Sequence, residues 1–154
     1  MRIVYAALAL IALMGNAAAA ELNPAAIKII TPDQLVWRDP PGAPTNSAGL
    51  HGDRNQPEYY VYINIFKPGQ FSRPHFHPND RFITVLKGTW WVGTGTVYDP
   101  DSTVPVPAGS FVTHYGKEIH YDGAKDEEVW VLISGVGPSA GVPAETPPAA
   151  ASTP

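Results

Sequence analysis

Proline and glycine interrupt this chain so often that no long helix fits into it. Seventeen Pro and 14 Gly fall among 154 residues, and no segment keeps an apolar repeat of 3.6 residues. What lies between the breaks is short, aromatic and β-branched, the composition of strands. Glu58 to Phe66 (EYYVYINIF) reads as a strand, closed by the Pro68-Gly69 turn. Phe71 to His77 reads as extended around Pro74, and Pro78-Asn79-Asp80 as a second turn. Arg81 to Lys87 and Thr89 to Val92 flank Gly88 as two strands. Val104 to Val106 and Phe111 to Tyr115 form two more, and Glu127 to Val136 closes the series. Asp39 to Gln56, with three Pro and three Gly, reads as a long loop, and residues 22–36 as a short strand or turn around Ile27 to Ile30. Many short strands joined by such turns predict an all-β sandwich or barrel.

The two ends read differently from the middle. Residues 1–20 have a single basic residue, Arg2, an apolar run from Ile3 to Met14, and small residues ending at Ala20. That is the pattern of a secretory signal peptide. The apolar run is far shorter than the roughly 20 residues a membrane span needs. Cleavage after Ala20 leaves a chain beginning at Glu21 with no membrane anchor, in the periplasm or secreted. From Pro138 onward (PSAGVPAETPPAAASTP) the sequence is small, Pro-rich and nearly uncharged, and predicts a disordered tail over residues 138–154. The folded domain is then 21–137, of a size that normally holds one core.

Several classes of function drop out on composition. The chain has no Cys, which excludes thiolate metal sites, cysteine nucleophiles and disulfides. Its formal charge of −4, one unit more acidic without Arg2, gives no reason to expect nucleic acid as a partner. No G-x-S-x-G elbow, phosphate-binding glycine loop or H-E-x-x-H helix is present.

The chemistry lies in His75-Phe76-His77, followed by Arg81 and His120. Alternate residues of a strand share a face, so His75 and His77 direct their imidazoles into one space. Neutral imidazoles bind divalent transition metals. Written with its spacing, the centre is Gly69-x5-His75-x-His77-x3-Arg81-x6-Gly88. It resembles the first cupin motif, G-x5-H-x-H-x3,4-E-x6-G, at every position but one. Gly109 and His120 fall at the spacing of the second motif, G-x5-P-x-G-x2-H-x3-N, with Tyr115, Lys117 and Ala124 replacing its Pro, second Gly and Asn. The resemblance covers residues 58–137, and with its leader the chain is similar to small exported single-domain cupins of the cupin 2 type.

That resemblance implies a double-stranded β-helix, a jelly-roll barrel, with His75, His77 and His120 as metal ligands. Arg81 stands where the family has its fourth ligand, a Glu. A guanidinium cannot ligate a metal, but three imidazoles can still hold Fe, Zn, Cu or Mn. Thiol dioxygenases within the superfamily are similar in using three His without the Glu. A metal and an Arg facing one pocket form a positive site that suits a small anionic ligand. The resemblance thus implies a metal-dependent enzyme, with oxygenase-type chemistry the leading option. The alternative is a non-catalytic binder of an anion or sugar with a metal-free pocket. His114 either lines the pocket beside Arg81 as a substrate-binding group or is a hydrogen-bonded core histidine. A homodimer, common among cupins, is the partner the resemblance suggests.

Trp90 and Trp91 put one indole on each face of a strand, and the Tyr59, Tyr60 and Tyr62 run does the same. Barrel core is one reading, and a ring-stacking platform at the pocket mouth the other. His51 reads as solvated in the long loop. Asp122, Asp126, Glu127 and Glu128 read as a solvated acidic hairpin.

Overall fold

Tyr59 to Phe66 alternates buried and partly exposed side chains at its start, as a strand with one face on a core must. A computed structural model describes residues 21–38 and 45–146 and pairs this strand on both edges. Ten strands occur in it: β1 (Thr45–His51), β2 (Tyr59–Phe66), β3 (His75–Phe76), β4 (Arg81–Lys87), β5 (Thr89–Thr94), β6 (Val104–Pro107), β7 (Phe111–His114), β8 (His120–Gly123), β9 (Val129–Val136) and β10 (Val142–Pro143). One sheet runs β1-β2-β9-β4-β7 and the other β10-β3-β8-β5-β6, with every pairing antiparallel. The fold is all-β, and the two sheets enclose a single core.

Gly88 is where the chain crosses from one sheet to the other. Its φ is +74°, and a Cβ there would lie 2.7 Å from the Glu128 carbonyl oxygen, so only glycine makes this corner. Gly109, at φ +87°, makes the return corner between β6 and β7. Inside, the alternation of β9 turns Val129, Val131 and Ile133 inward, against Ile83 and Val85 of β4, Tyr60, Tyr62 and Phe66 of β2, and Trp90 of β5. On β4 the inward set is Arg81, Ile83 and Val85. The same two-residue period that builds the core therefore carries a guanidinium into the barrel.

Three expectations need correction. Part of the proposed long loop is β1, which pairs with β2 along its length and bulges between Gly49 and His51. Its sequence, TNSAGLH, has little strand propensity, but an edge strand needs only backbone bonds to its neighbour. Of the short strand or turn expected around Ile27 to Ile30, the strand does not form and the turn does, at residues 24–26; a short 3-10 helix follows at Pro32–Gln34, and Ile27 and Ile29 are exposed.

The third correction concerns the tail. Residues 138–146 lie on the barrel: β10 pairs with β3, the Ala144 N–H donates to the Pro74 carbonyl (2.9 Å), and the Thr146 N–H donates to that of Thr96 (2.8 Å). Arg73 grips Glu145 through two hydrogen bonds. The low apolar content of this segment does not matter here, because main-chain bonds and one ion pair fasten it. The leader (1–20), residues 39–44 and residues 147–154 lie outside the described residues.

Candidate metal centre

Two cross-strand pairs face each other across the barrel. On one sheet His75 of β3 stands opposite His120 of β8. On the other, Arg81 of β4 stands opposite His114 of β7. His77, two residues past His75, shares its face. The structure brings His75, His77 and His120 together: one ring nitrogen from each lies within 4.8 Å of the others.

The orientation of these rings is fixed from behind. His75 Nδ1 lies 2.8 Å from the Arg73 carbonyl oxygen, His77 Nδ1 3.2 Å from that of Ser139, and His120 Nδ1 3.0 Å from that of Glu118. A carbonyl only accepts, so each ring carries its proton on Nδ1 and presents an Nε2 lone pair inward. His75 Nε2 and His77 Nε2 are 3.0 Å apart. Two lone pairs at that separation repel unless a cation lies between them. Imidazole nitrogens held about 2.0–2.1 Å from one ion would sit at about this spacing. The backbone carbonyls supply the outer partners that orient ligating histidines, so the donor set fits a divalent transition ion.

Electrostatics keep His77 and His120 neutral. Burial, then the charge of Arg81 and the neighbouring rings, pushes His77 down to about 2. The same causes in the same order take His120 to about 3. His114 is depressed as well, by burial first and then by His120 and Arg81.

Arg81 is 6 % exposed. Its Nη2 lies 3.1 Å from His114 Nδ1 and 3.3 Å from His120 Nε2, its Nη1 approaches the Tyr62 hydroxyl at 3.5 Å, and its Nε has no partner. None of these partners is a carboxylate. A buried cation so placed lacks a counter-ion within hydrogen-bonding reach.

A cavity of about 290 Å³ opens onto the group, lined among others by His75, His77, Arg81, Tyr62, Ser72 and Asp122. That is the small end of ligand sites. A neighbouring hollow of about 390 Å³ over β1 and β2 shares Tyr62 and Arg54 with it but contains none of the three histidines. Ser139, Ala140 and Gly141 of the fastened tail form one wall of the smaller cavity.

Of the two readings of His114, the place it takes is that of the hydrogen-bonded core histidine. It reaches the site, but behind Arg81 and outside the cavity lining. Its ring stacks between Trp90 (centroids 5.3 Å apart) and His120 (3.8 Å). Its Nδ1 accepts from Arg81 and its Nε2 is buried without a partner, so it anchors the guanidinium.

The expectation for Asp122 is corrected. It is 3 % exposed, lines the cavity and forms a second close group with His114 and His120. Burial pushes its carboxyl up, against the pull of His75 and Arg81. The signal was available: Asp122 lies two residues past His120 on the same strand, hence on the same face. Trp90 is core, 1 % exposed, and Trp91 is on the other face. His51 is exposed, at the end of β1.

No protein-family model and no curated protein matches the sequence. Solved structures do match in shape. The polyketide cyclase RemF from Streptomyces resistomycificus is 20 % identical, with a TM-score of 0.57 over 79 % of this chain and 82 % of that one. A double-stranded β-helix protein of Klebsiella pneumoniae is 19 % identical, with a TM-score of 0.58 over 78 % and 99 %. The DMSP lyase DddQ from Ruegeria pomeroyi is 18 % identical, with a TM-score of 0.56 over 70 % and 60 %. At such identities the likeness establishes the architecture alone: the chain is a double-stranded β-helix of the cupin fold.

Proposed function

We propose that this protein is an exported, metal-dependent cupin enzyme that acts on a small anionic molecule held between a three-histidine ion site and Arg81. The observation that carries this reading is the convergence of three carbonyl-oriented imidazoles, two of which, His75 and His77, line the same cavity as a buried guanidinium with no carboxylate in hydrogen-bonding reach. A divalent ion bound by His75, His77 and His120 would polarise a ligand oxygen, and a redox-active one would also bring oxygenase-type chemistry. The chain's own groups do the rest. Arg81 binds the anionic end and sets its orientation. Asn64 Oδ1, buried without a partner, accepts from a ligand hydroxyl or amine. The wall formed by Ser139 to Gly141 limits the entry of water. That neighbours of this fold are named as a cyclase and a lyase supports an enzyme, with ring closure and elimination standing beside oxygenation.

A second reading is favoured by one contact. Arg81 Nη2 already satisfies His120 Nε2, as it would in a metal-free pocket where Arg81 and the histidines bind an anion or sugar directly, without turnover.

Elemental analysis of the purified chain separates the two readings. About one Fe, Zn, Cu or Mn per chain is expected, lost in His75→Ala and His120→Ala. A chain that stays metal-free after incubation with each of these ions sinks the first reading. Arg81→Glu should restore a four-ligand site, tightening metal and weakening an anionic ligand. Export through the leader is checked by the intact mass of the mature protein, which should begin at Glu21.

A further inference from the structure

His120 Nε2 is claimed twice. It belongs to the three-histidine group and lies 3.3 Å from Arg81 Nη2. One imidazole lone pair serves a hydrogen bond or a metal bond, not both at once. The guanidinium is unusual on its other side too: Nε is buried with no partner. In any arginine the Nε–H and one Nη2–H point the same way and form an edge that fits both oxygens of a carboxylate. Half of that edge is idle here, and Nη2, which carries the other half, divides its two N–H groups between His114 and His120.

On the reading that the three histidines bind a divalent ion, we propose that metal and carboxylate bind cooperatively, with Arg81 as the coupling residue. In the metal-free protein the guanidinium caps the His120 lone pair. An ion that takes the lone pair displaces Nη2, and the Nε–Nη2 edge becomes available to a planar carboxylate in the cavity that Arg81, His75 and His77 line. The carboxylate also relieves the repulsion between the ion and the guanidinium, which is strong in a buried site. Asp122 lines the same cavity but does not engage Nε. The geometry therefore favours a carboxylate over a spherical anion, because only a planar acceptor uses both donors of the edge. Coupling of this kind is reciprocal: the factor by which metal tightens carboxylate is the factor by which carboxylate tightens metal.

Zn²⁺ affinity of the full mature chain, measured against a chromophoric chelator with acetate or chloride as the added anion, tests this. Acetate should tighten Zn²⁺ by about fivefold or more, and chloride at equal ionic strength should not. In Arg81→Gln, Zn²⁺ alone should bind more tightly than in the wild type, since both the competitor and the repelling charge are gone. The acetate effect should then nearly vanish. Arg81→Lys keeps the charge without the edge, so it should lose the acetate effect without gaining Zn²⁺ affinity. It also serves if the Gln variant fails to fold. Tight Zn²⁺ binding that ignores acetate overturns the coupling and leaves the metal reading intact. An acetate effect that persists in both variants means that acetate ligates the ion directly, which overturns the role of Arg81. Absence of Zn²⁺ binding sinks the metal reading, and the coupling with it.

Discussion

Without a metal, the buried histidines make the folded chain sensitive to acid. His77 and His120 are held near 2 and 3, against about 6.5 in an unfolded chain. As pH falls through 6.5 the unfolded state takes up protons that the folded state refuses. The stability these two residues contribute is complete above that pH and drains away as pH falls toward their folded values. Each supplies a slope of up to about 1.4 kcal/mol per pH unit. Asp122 acts in the opposite sense: its carboxyl is raised, so its contribution is present at low pH and lost as pH rises through that raised value. Urea unfolding of the metal-free chain should therefore show a lower midpoint at pH 5 than at pH 7, with a steeper fall in Asp122→Asn. A midpoint indifferent to pH would mean that the rings are not held neutral. At this scale the sequence was informative wherever residues sit two apart on a strand, as His75 and His77 do. Asp122 escaped because its neighbours Asp126, Glu127 and Glu128 made it look like part of a solvated run. The capture of His120 by Arg81 has no sequence signal, because it joins strands of different sheets.

Elements built from aromatic and β-branched residues, β2, β4 and β9, were legible in sequence, since their side chains create the core that selects them. β1 and β10 were not. Their stability comes from neighbouring backbones, and composition does not report that. The tail has a consequence for the site, because the carbonyl that orients His77 belongs to Ser139. Three further contacts fix Ser139: its N–H donates to the Arg54 carbonyl (2.8 Å), its hydroxyl meets that of Tyr60 (3.0 Å), and β10 follows it. Ending the chain after Gly137 removes this orienting partner and one wall of the cavity while leaving the other nine strands in place. Losing such a partner typically weakens metal binding by about 10- to 100-fold. Zn²⁺ competition on the truncated protein should show a loss of that order, with circular dichroism still reporting a folded barrel. Equal affinity in the two proteins would reduce the tail to a covering.

A chain with no Cys must hold this site by packing alone, and that packing belongs to one core shared by both sheets. Ile83 is fully buried and shares the inward face of β4 with Arg81 and Val85. It thus connects the apolar core to the guanidinium. Phe111 lies on the outside, 65 % exposed and stacked on Phe82 at 6.3 Å. The two residues are similarly apolar, and only their side of the sheet differs. Ile83→Ala opens a cavity that close-packed neighbours refill only in part, at a cost of about 2–5 kcal/mol. Phe111→Ala removes a ring already in water and should stay within about 0.5 kcal/mol. The midpoint of urea unfolding, at constant slope, reads the difference. Equal losses in the two variants would show that the outer face is covered in solution, and the inside and outside of the barrel would have to be assigned again.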